Sequence, residues 1–91
     1  MLTPCKAGQF KKDQKRAEKQ GKDFELLHEV LKILIEGKPL PHKYQDHPLT
    51  GPWKGYRDCH ITNDWVLIYK VDKKNKTLLL QRLGSHSELF G

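Results

Sequence analysis

No apolar run in this chain reaches the ~18 residues that a membrane span requires. Its start, Met-Leu-Thr-Pro-Cys-Lys, lacks the apolar core of a secretory leader, so no signal peptide is expected. There are two cysteines, Cys5 and Cys59, far apart and without a CxxC pair. That is too few for a disulfide framework, and two reduced thiols in a cytoplasmic protein are the expectation. His42, His47, Cys59, His60 and His86 lack the ligand spacings of a zinc site, so no metal or other cofactor is expected. GxGxxG, Walker, GxSxG and HExxH patterns are missing too, which removes the common nucleotide, hydrolase and metalloprotease signatures. Acidic residues are also in short supply. Eleven Asp and Glu face seventeen Lys and Arg, leaving a net charge of +6. A domain this basic favours polyanions, nucleic acid included, and acidic protein partners.

At 91 residues the chain makes one domain, 1–91. A chain of this size buries roughly 60–65% of its unfolded surface, so it folds alone with little stability in reserve. The charge excess is early: seven basic residues face two acidic ones over residues 1–22. Residues 2–6 suit a short first strand, weakened by Pro4. Gln9 to Gln20 is rich in helix formers, with only Phe10 and Ala17 to form an apolar stripe. Lys11, Lys12, Lys15, Arg16 and Lys19 of this helix are candidates to grip RNA. Asp23 is a plausible N-cap for a second helix. In it Phe24, Leu27, Val30, Leu31, Leu34 and Ile35 recur at three- and four-residue spacing and share one face. Gly37 and Pro39 stop it.

Residues 38–54 read as a long proline-bearing loop, a length that is often functional. Strands follow at Tyr56–Ile61, Trp65–Val71 and Thr77–Leu83, joined by the polar turns Thr62-Asn63-Asp64 and Asp72–Lys76. Trp65-Val66-Leu67-Ile68-Tyr69 has the composition of a strand buried on both faces. Three consecutive strands on short turns make an antiparallel meander. Two helices before it predict an α+β fold, with the helices packed on one face of a small antiparallel sheet.

The chemistry is concentrated between Gln45 and Lys70 and in the tail. Tyr56, Asp58 and His60 share one face of their strand, and Arg57, Cys59 and Ile61 share the other. His47 precedes this strand, Asp64 sits at the hairpin end, and His86 follows the last strand after Gly84. With the meander in sequential order, His60 and His86 approach each other, with Arg57 or Arg82 nearby. Such a set suits RNA cleavage. One group removes the 2′-hydroxyl proton, another protonates the departing 5′-oxygen, and a cation steadies the phosphorane. Histidine can take either proton role, and Arg or Lys supports the charge. A metal is not required for this chemistry. The plainer alternative is a basic binding module of the same fold, with structural histidines, that holds nucleic acid or an acidic protein.

Three blocks of sequence carry a family likeness. They are Asp46-His47-Pro48-Leu49-x-Gly51-x-Trp53-Lys54-Gly55-Tyr56-Arg57-Asp58-x-His60, then Asp64-Trp65-x-Leu67-Ile68-Tyr69-Lys70, then Gly84-x-His86-x-x-Leu89-Phe90-Gly91. In content, order and spacing they resemble the YafQ branch of the RelE-type toxins, small bacterial ribonucleases of type II toxin–antitoxin systems. The resemblance implies an antiparallel sheet of about four strands, similar to microbial ribonucleases. It implies cleavage of messenger RNA in the ribosomal A site, and silencing by a cognate antitoxin. By motif, His47, His60, Asp64, His86 and Phe90 match the family's catalytic positions. Lys54 and Arg57 fall within the first block as further RNA-binding candidates. Arg82 is similar to a basic residue that RelE-type members use near the scissile phosphate. For Phe90, position alone leaves two roles open: a ring that stacks on a base, or a plug in the core.

Overall fold

The computed structural model describes residues 1–91. In chain order it runs β1 (Thr3–Lys6), α1 (Gly8–Lys19), α2 (Phe24–Ile35), β2 (His47–Pro48), β3 (Arg57–Thr62), β4 (Trp65–Asp72), β5 (Thr77–Gly84) and α3 (His86–Phe90). Short 3-10 turns at His42–Tyr44 and Gly51–Trp53 flank β2. The five strands form one sheet in the order β1-β5-β4-β3-β2. The α+β class and the β3-β4-β5 meander agree with the sequence.

Three features differ from expectation. The sheet is mixed, because β1 pairs parallel to β5, with Thr3 opposite Thr77 and Lys6 opposite Leu80. The meander leaves the outer side of β5 unpaired, and β1 covers that edge. Polarity of an edge strand leaves no periodic signal in four exposed residues. The loop before the meander is not structureless either, since two of its residues form β2 against β3. And the tail folds as α3.

Local chemistry explains each helix. Asp23 caps α2 by accepting from the Glu25 N–H at 3.0 Å. Ser85 caps α3 in a full capping box, accepting from the Glu88 N–H while the Glu88 carboxylate accepts from the Ser85 N–H. That reciprocal pair is what makes a five-residue helix hold in a tail that would otherwise fray.

β4 is the spine. Trp65 to Tyr69 are all buried, and alternation sends them to two separate cores. Trp65, Leu67 and Tyr69 join a 14-residue cluster under the helices, with Phe10, Ala17, Leu27, Val30 and Leu34. Val66 and Ile68 meet only Leu89 of α3, among buried residues, on the other face. One face of the sheet thus carries the fold. The other is thinly covered and free to hold polar groups.

α1 docks through a stripe that includes a charge. Phe10, Asp13 and Ala17 are its buried residues. The Asp13 carboxylate accepts from Arg82 Nε at 2.8 Å, the Leu83 N–H at 3.0 Å and Gln9 Nε2 at 3.2 Å, and Arg16 Nη2 also lies at 3.2 Å. Burial pushes its pKa up, but the bonds from Arg82, Leu83 and Gln9 more than offset this and hold it below the ordinary range. Gly84 matters here for room. A Cβ on it would meet Arg16 Nη2 at 2.8 Å and Glu88 Oε1 at 3.0 Å.

Candidate active site

The thinly covered face gathers the histidines. His47 of β2 stands directly opposite Asp58 of β3, so both project to the same side. His60, two residues on from Asp58, joins them. At the bulged β3–β4 end, His86 of α3 closes on His60, with ring centroids 4.8 Å apart and planes at 67°. Phe90 lies one helical turn beyond His86, centroids 6.0 Å apart. Asp64 orients His86. Its Oδ1 accepts from the His86 backbone N–H at 3.2 Å and lies 3.6 Å from the ring Nδ1. An open cleft bordered by Lys43, Tyr44, Thr62 and Asn63 adjoins His60.

Asp58 is the group that sequence reasoning left out. It is only 3% exposed, among residues that are largely solvated. Burial pushes its carboxyl pKa up, against the attraction of His47, His60 and His86. Its Oδ1 lies 3.1 Å from His47 Nδ1. The Nδ1–H, however, is directed at the Gln45 carbonyl, 2.8 Å away. The Asp58 contact is therefore an ion-pair approach without a hydrogen bond, and Oδ1 stays buried without a donor. The available signal was its place beside His60 on one strand face; its burial depends on the crossing of β2, which no local pattern reports.

Of the sequence-predicted residues, His47, His60, Asp64, His86 and Phe90 come together at this sheet end. Phe90 is 43% exposed, so it is not a core plug; the buried residue of that turn is Leu89. The predicted cations divide. Lys11, Lys12, Lys15, Lys19 and Lys54 are exposed and form no ion pair. The three arginines are each held by carboxylates. Arg82 is held by Asp13, and Arg16 by Asp13 and Glu88. Arg57 stands on the opposite face from Asp58 and is held by Asp46. The structure thus brings neither Arg57 nor Arg82 to the histidines as a free cation. No group of three His, Cys, Asp or Glu side chains is arranged to hold a metal ion. No helix is long and apolar enough to cross a membrane.

A basic α+β domain with this polar sheet end has the build of a small bacterial toxin. A family profile described as the bacterial toxin of type II toxin–antitoxin systems, YafQ, matches residues 2–91, and the chain belongs to that family. It is 49% identical over 86 residues to the mRNA interferase toxin YafQ of Escherichia coli K12, covering 93% of this chain and 91% of that one. It superposes on the toxin chain in the E. coli DinJ–YafQ complex with a TM-score of 0.91 at 46% identity, covering all of both chains. A metal-bound toxin from Helicobacter pylori aligns with a TM-score of 0.93 at 48% identity, over 99% of this chain and 100% of that one.

Proposed function

We propose that this toxin is an endoribonuclease that cuts messenger RNA in the ribosomal A site and so stops translation, and that a cognate antitoxin silences it. The observation that carries the reading is the His60–His86 pair, 4.8 Å apart on an open sheet end beside His47 and Asp58. The mRNA interferase activity named for the E. coli relative points the same way, as does the E. coli DinJ–YafQ toxin–antitoxin complex.

In this mechanism the 2′-hydroxyl attacks the adjacent phosphorus. One of His60 and His86 takes its proton, and the other returns a proton to the leaving 5′-oxygen. His47 orients the attacking group through Nε2, because its Nδ1–H is committed to Gln45. Asp64 accepts from the His86 backbone N–H and so places the start of α3 that carries the ring. Phe90 stacks on a base and keeps the nucleotide in line for attack. With no arginine free beside the histidines, the exposed lysines of α1 and Lys54 carry the electrostatic contact with RNA. The products are a 2′,3′-cyclic phosphate and a 5′-hydroxyl, with no step that needs a divalent metal.

The test is cleavage of mRNA on programmed ribosomes. His60→Ala and His86→Ala should each lose about 10²–10⁴ in rate with little change in melting. A 2′-deoxy nucleotide at the scissile position should block the reaction. Cutting of that deoxy substrate, or inhibition by EDTA at magnesium levels that spare the ribosome, refutes the mechanism. A folded protein that binds ribosomes and leaves mRNA whole would leave the binding-module reading standing. Expression without the antitoxin gene should arrest growth.

A further inference from the structure

The segment that carries His47 is fastened on the far side of the sheet from the site. The Asp46 carboxylate accepts from Arg57 Nε and Nη2, each at 3.2 Å, and from the Tyr69 hydroxyl at 2.5 Å. Arg57 and Tyr69 are direct partners across β3 and β4, so they share a face. It is the face of Cys59 and Trp65, under the helices. His47 is paired with Asp58 and stands on the other face. Along an extended segment neighbouring side chains alternate. Anchoring Asp46 below the sheet edge therefore turns His47 above it.

β2 could not do this alone. It is two residues long, with exposed side chains. Just before it, Gln45 is held at φ 49°, ψ 41°, a left-handed conformation that a non-glycine residue keeps only where its surroundings enforce it. In that conformation the Gln45 carbonyl faces back to His47 Nδ1 at 2.8 Å. The left-handed turn, the anchor and the imidazole are three consecutive residues, so fixing the middle one constrains the other two. The Asp46 contacts are also lasting donors. Burial, and then the bond to Asp46, pushes the Tyr69 pKa up, so the hydroxyl keeps its proton. The bond to Asp46 raises that of Arg57.

We propose that Asp46, Arg57 and Tyr69 form a positioning clamp for His47. The clamp enforces the left-handed turn at Gln45. The turn supplies the acceptor for Nδ1–H, and the ring is thereby held with Nε2 turned to the site. Released, the ring has a specific alternative. Asp58 Oδ1 is 3.1 Å from the same Nδ1, buried and without a donor. Loosening the clamp lets Nδ1–H swing from the Gln45 carbonyl to Asp58, and Nε2 turns with it. None of the three clamp residues touches the substrate. They act through His47, much as the carboxylate of a Ser-His-Asp triad acts through its imidazole. The consequence for cleavage rests on the nuclease reading above; the geometry of His47 does not.

Two variants separate the possibilities. Tyr69→Phe keeps the buried ring and removes the hydroxyl. Arg57→Lys keeps the charge and removes the two-pronged donor. Long-range proton–nitrogen spectra of the imidazoles in the free protein read His47 directly. Its Nδ1–H signal should move in both variants while His60 and His86 stay in place. On programmed ribosomes kcat should fall by about 10²-fold, the scale of a misplaced catalytic group, with KM unchanged. Asp46→Glu, which lengthens the anchor but keeps its bonds to Arg57 and Tyr69 possible, should lose less of the rate than either variant. The clamp is overturned if the His47 signals and kcat match the wild type in both variants. It is equally overturned if all three histidines shift together, since that reports general loosening. A wild-type protein that cuts no mRNA would end the nuclease reading, and the His47 spectra would still decide the clamp.

Discussion

Replacing Asp13 by asparagine tests whether Arg82 belongs to the fold or to the phosphate. The carboxylate is 1% exposed, and it accepts from Arg82, the Leu83 N–H and Gln9. Removing one partner of a buried ion pair costs about 3–5 kcal/mol, because the other is left charged and unmatched. The Arg16 contact adds little, since that side chain is 38% exposed and screened by water. The lower end, ~3 kcal/mol, is therefore the expectation. A domain of this size holds about 5–14 kcal/mol in all. At about 4–8 °C per kcal/mol, the melting temperature at pH 7 should fall by about 12–24 °C. The pH dependence has a definite sign. Asp13 has a folded pKa below its ordinary 3.8, so its contribution is present above that value and is lost as pH falls through the folded pKa. Wild type and Asp13→Asn should converge on acidification below pH 3.8. Arg82→Met should melt early like Asp13→Asn. A shift within about 3 °C for Asp13→Asn, or an Arg82→Met that melts like wild type and fails only in cleavage, would return Arg82 to the phosphate.

Other outcomes follow from the site. Asp58 has a raised pKa through burial, so wild-type stability falls as pH climbs through that folded value; Asp58→Asn should melt no lower than wild type at pH ~8 yet cut at least ~10-fold more slowly, and a clear loss of melting temperature there refutes the assignment. Phe90 is exposed beside His86, so Phe90→Ala should lose about 5- to 150-fold in cleavage, the worth of ~1–3 kcal/mol of stacking, with unchanged melting; Phe90→Trp should retain most of the rate. Replacing Lys11, Lys12 and Lys15 by glutamine should weaken ribosome binding and reduce its salt slope by roughly one unit for each phosphate no longer neutralised. An unchanged slope removes α1 from the RNA interface.

The sequence makes some of this plain and hides the rest for physical reasons. The run Trp65–Tyr69 has no alternation, and a strand without alternation must be covered twice; the structure does so with two separate cores. The α2 stripe closes on the sheet through Leu27, Val30 and Leu34 as its spacing requires. The histidine cluster was legible because β3 and the hairpin end are short and local. Arg16 and Arg82 were not. Pairing with Asp13 spans 69 positions for Arg82, and charge counting sees only an excess. One clue was present: Asp13 falls on the stripe of Phe10 and Ala17, and a charge on an apolar stripe marks a buried pair. The tail carried its own signal in Ser85-His86-Ser87-Glu88, the spacing of a capping box.

The two faces of the sheet explain how so basic and polar a chain can keep a buried carboxylate in its site. The helix-covered face holds 14 buried apolar residues, while the site face holds Val66, Ile68 and Leu89. Asp58 sits among the latter with an unsatisfied oxygen, a burden of about 1–3 kcal/mol that the first face must offset. The cations are sorted by the same logic. The arginines are each engaged by a carboxylate, where a planar fork can meet Asp13, Glu88 or Asp46. Lysines of α1 stay outside, unpaired. Arg16 and Gln20 reach Glu88 of α3, so the helix that shows lysines outward also braces the turn bearing His86 and Phe90. A polyanion held on the outer face of α1 would leave this brace intact, because the brace uses none of the exposed lysines. Binding and proton transfer can therefore be altered separately: lysine changes on α1 should move affinity and leave kcat, and changes at Glu88 should move kcat and leave the salt slope.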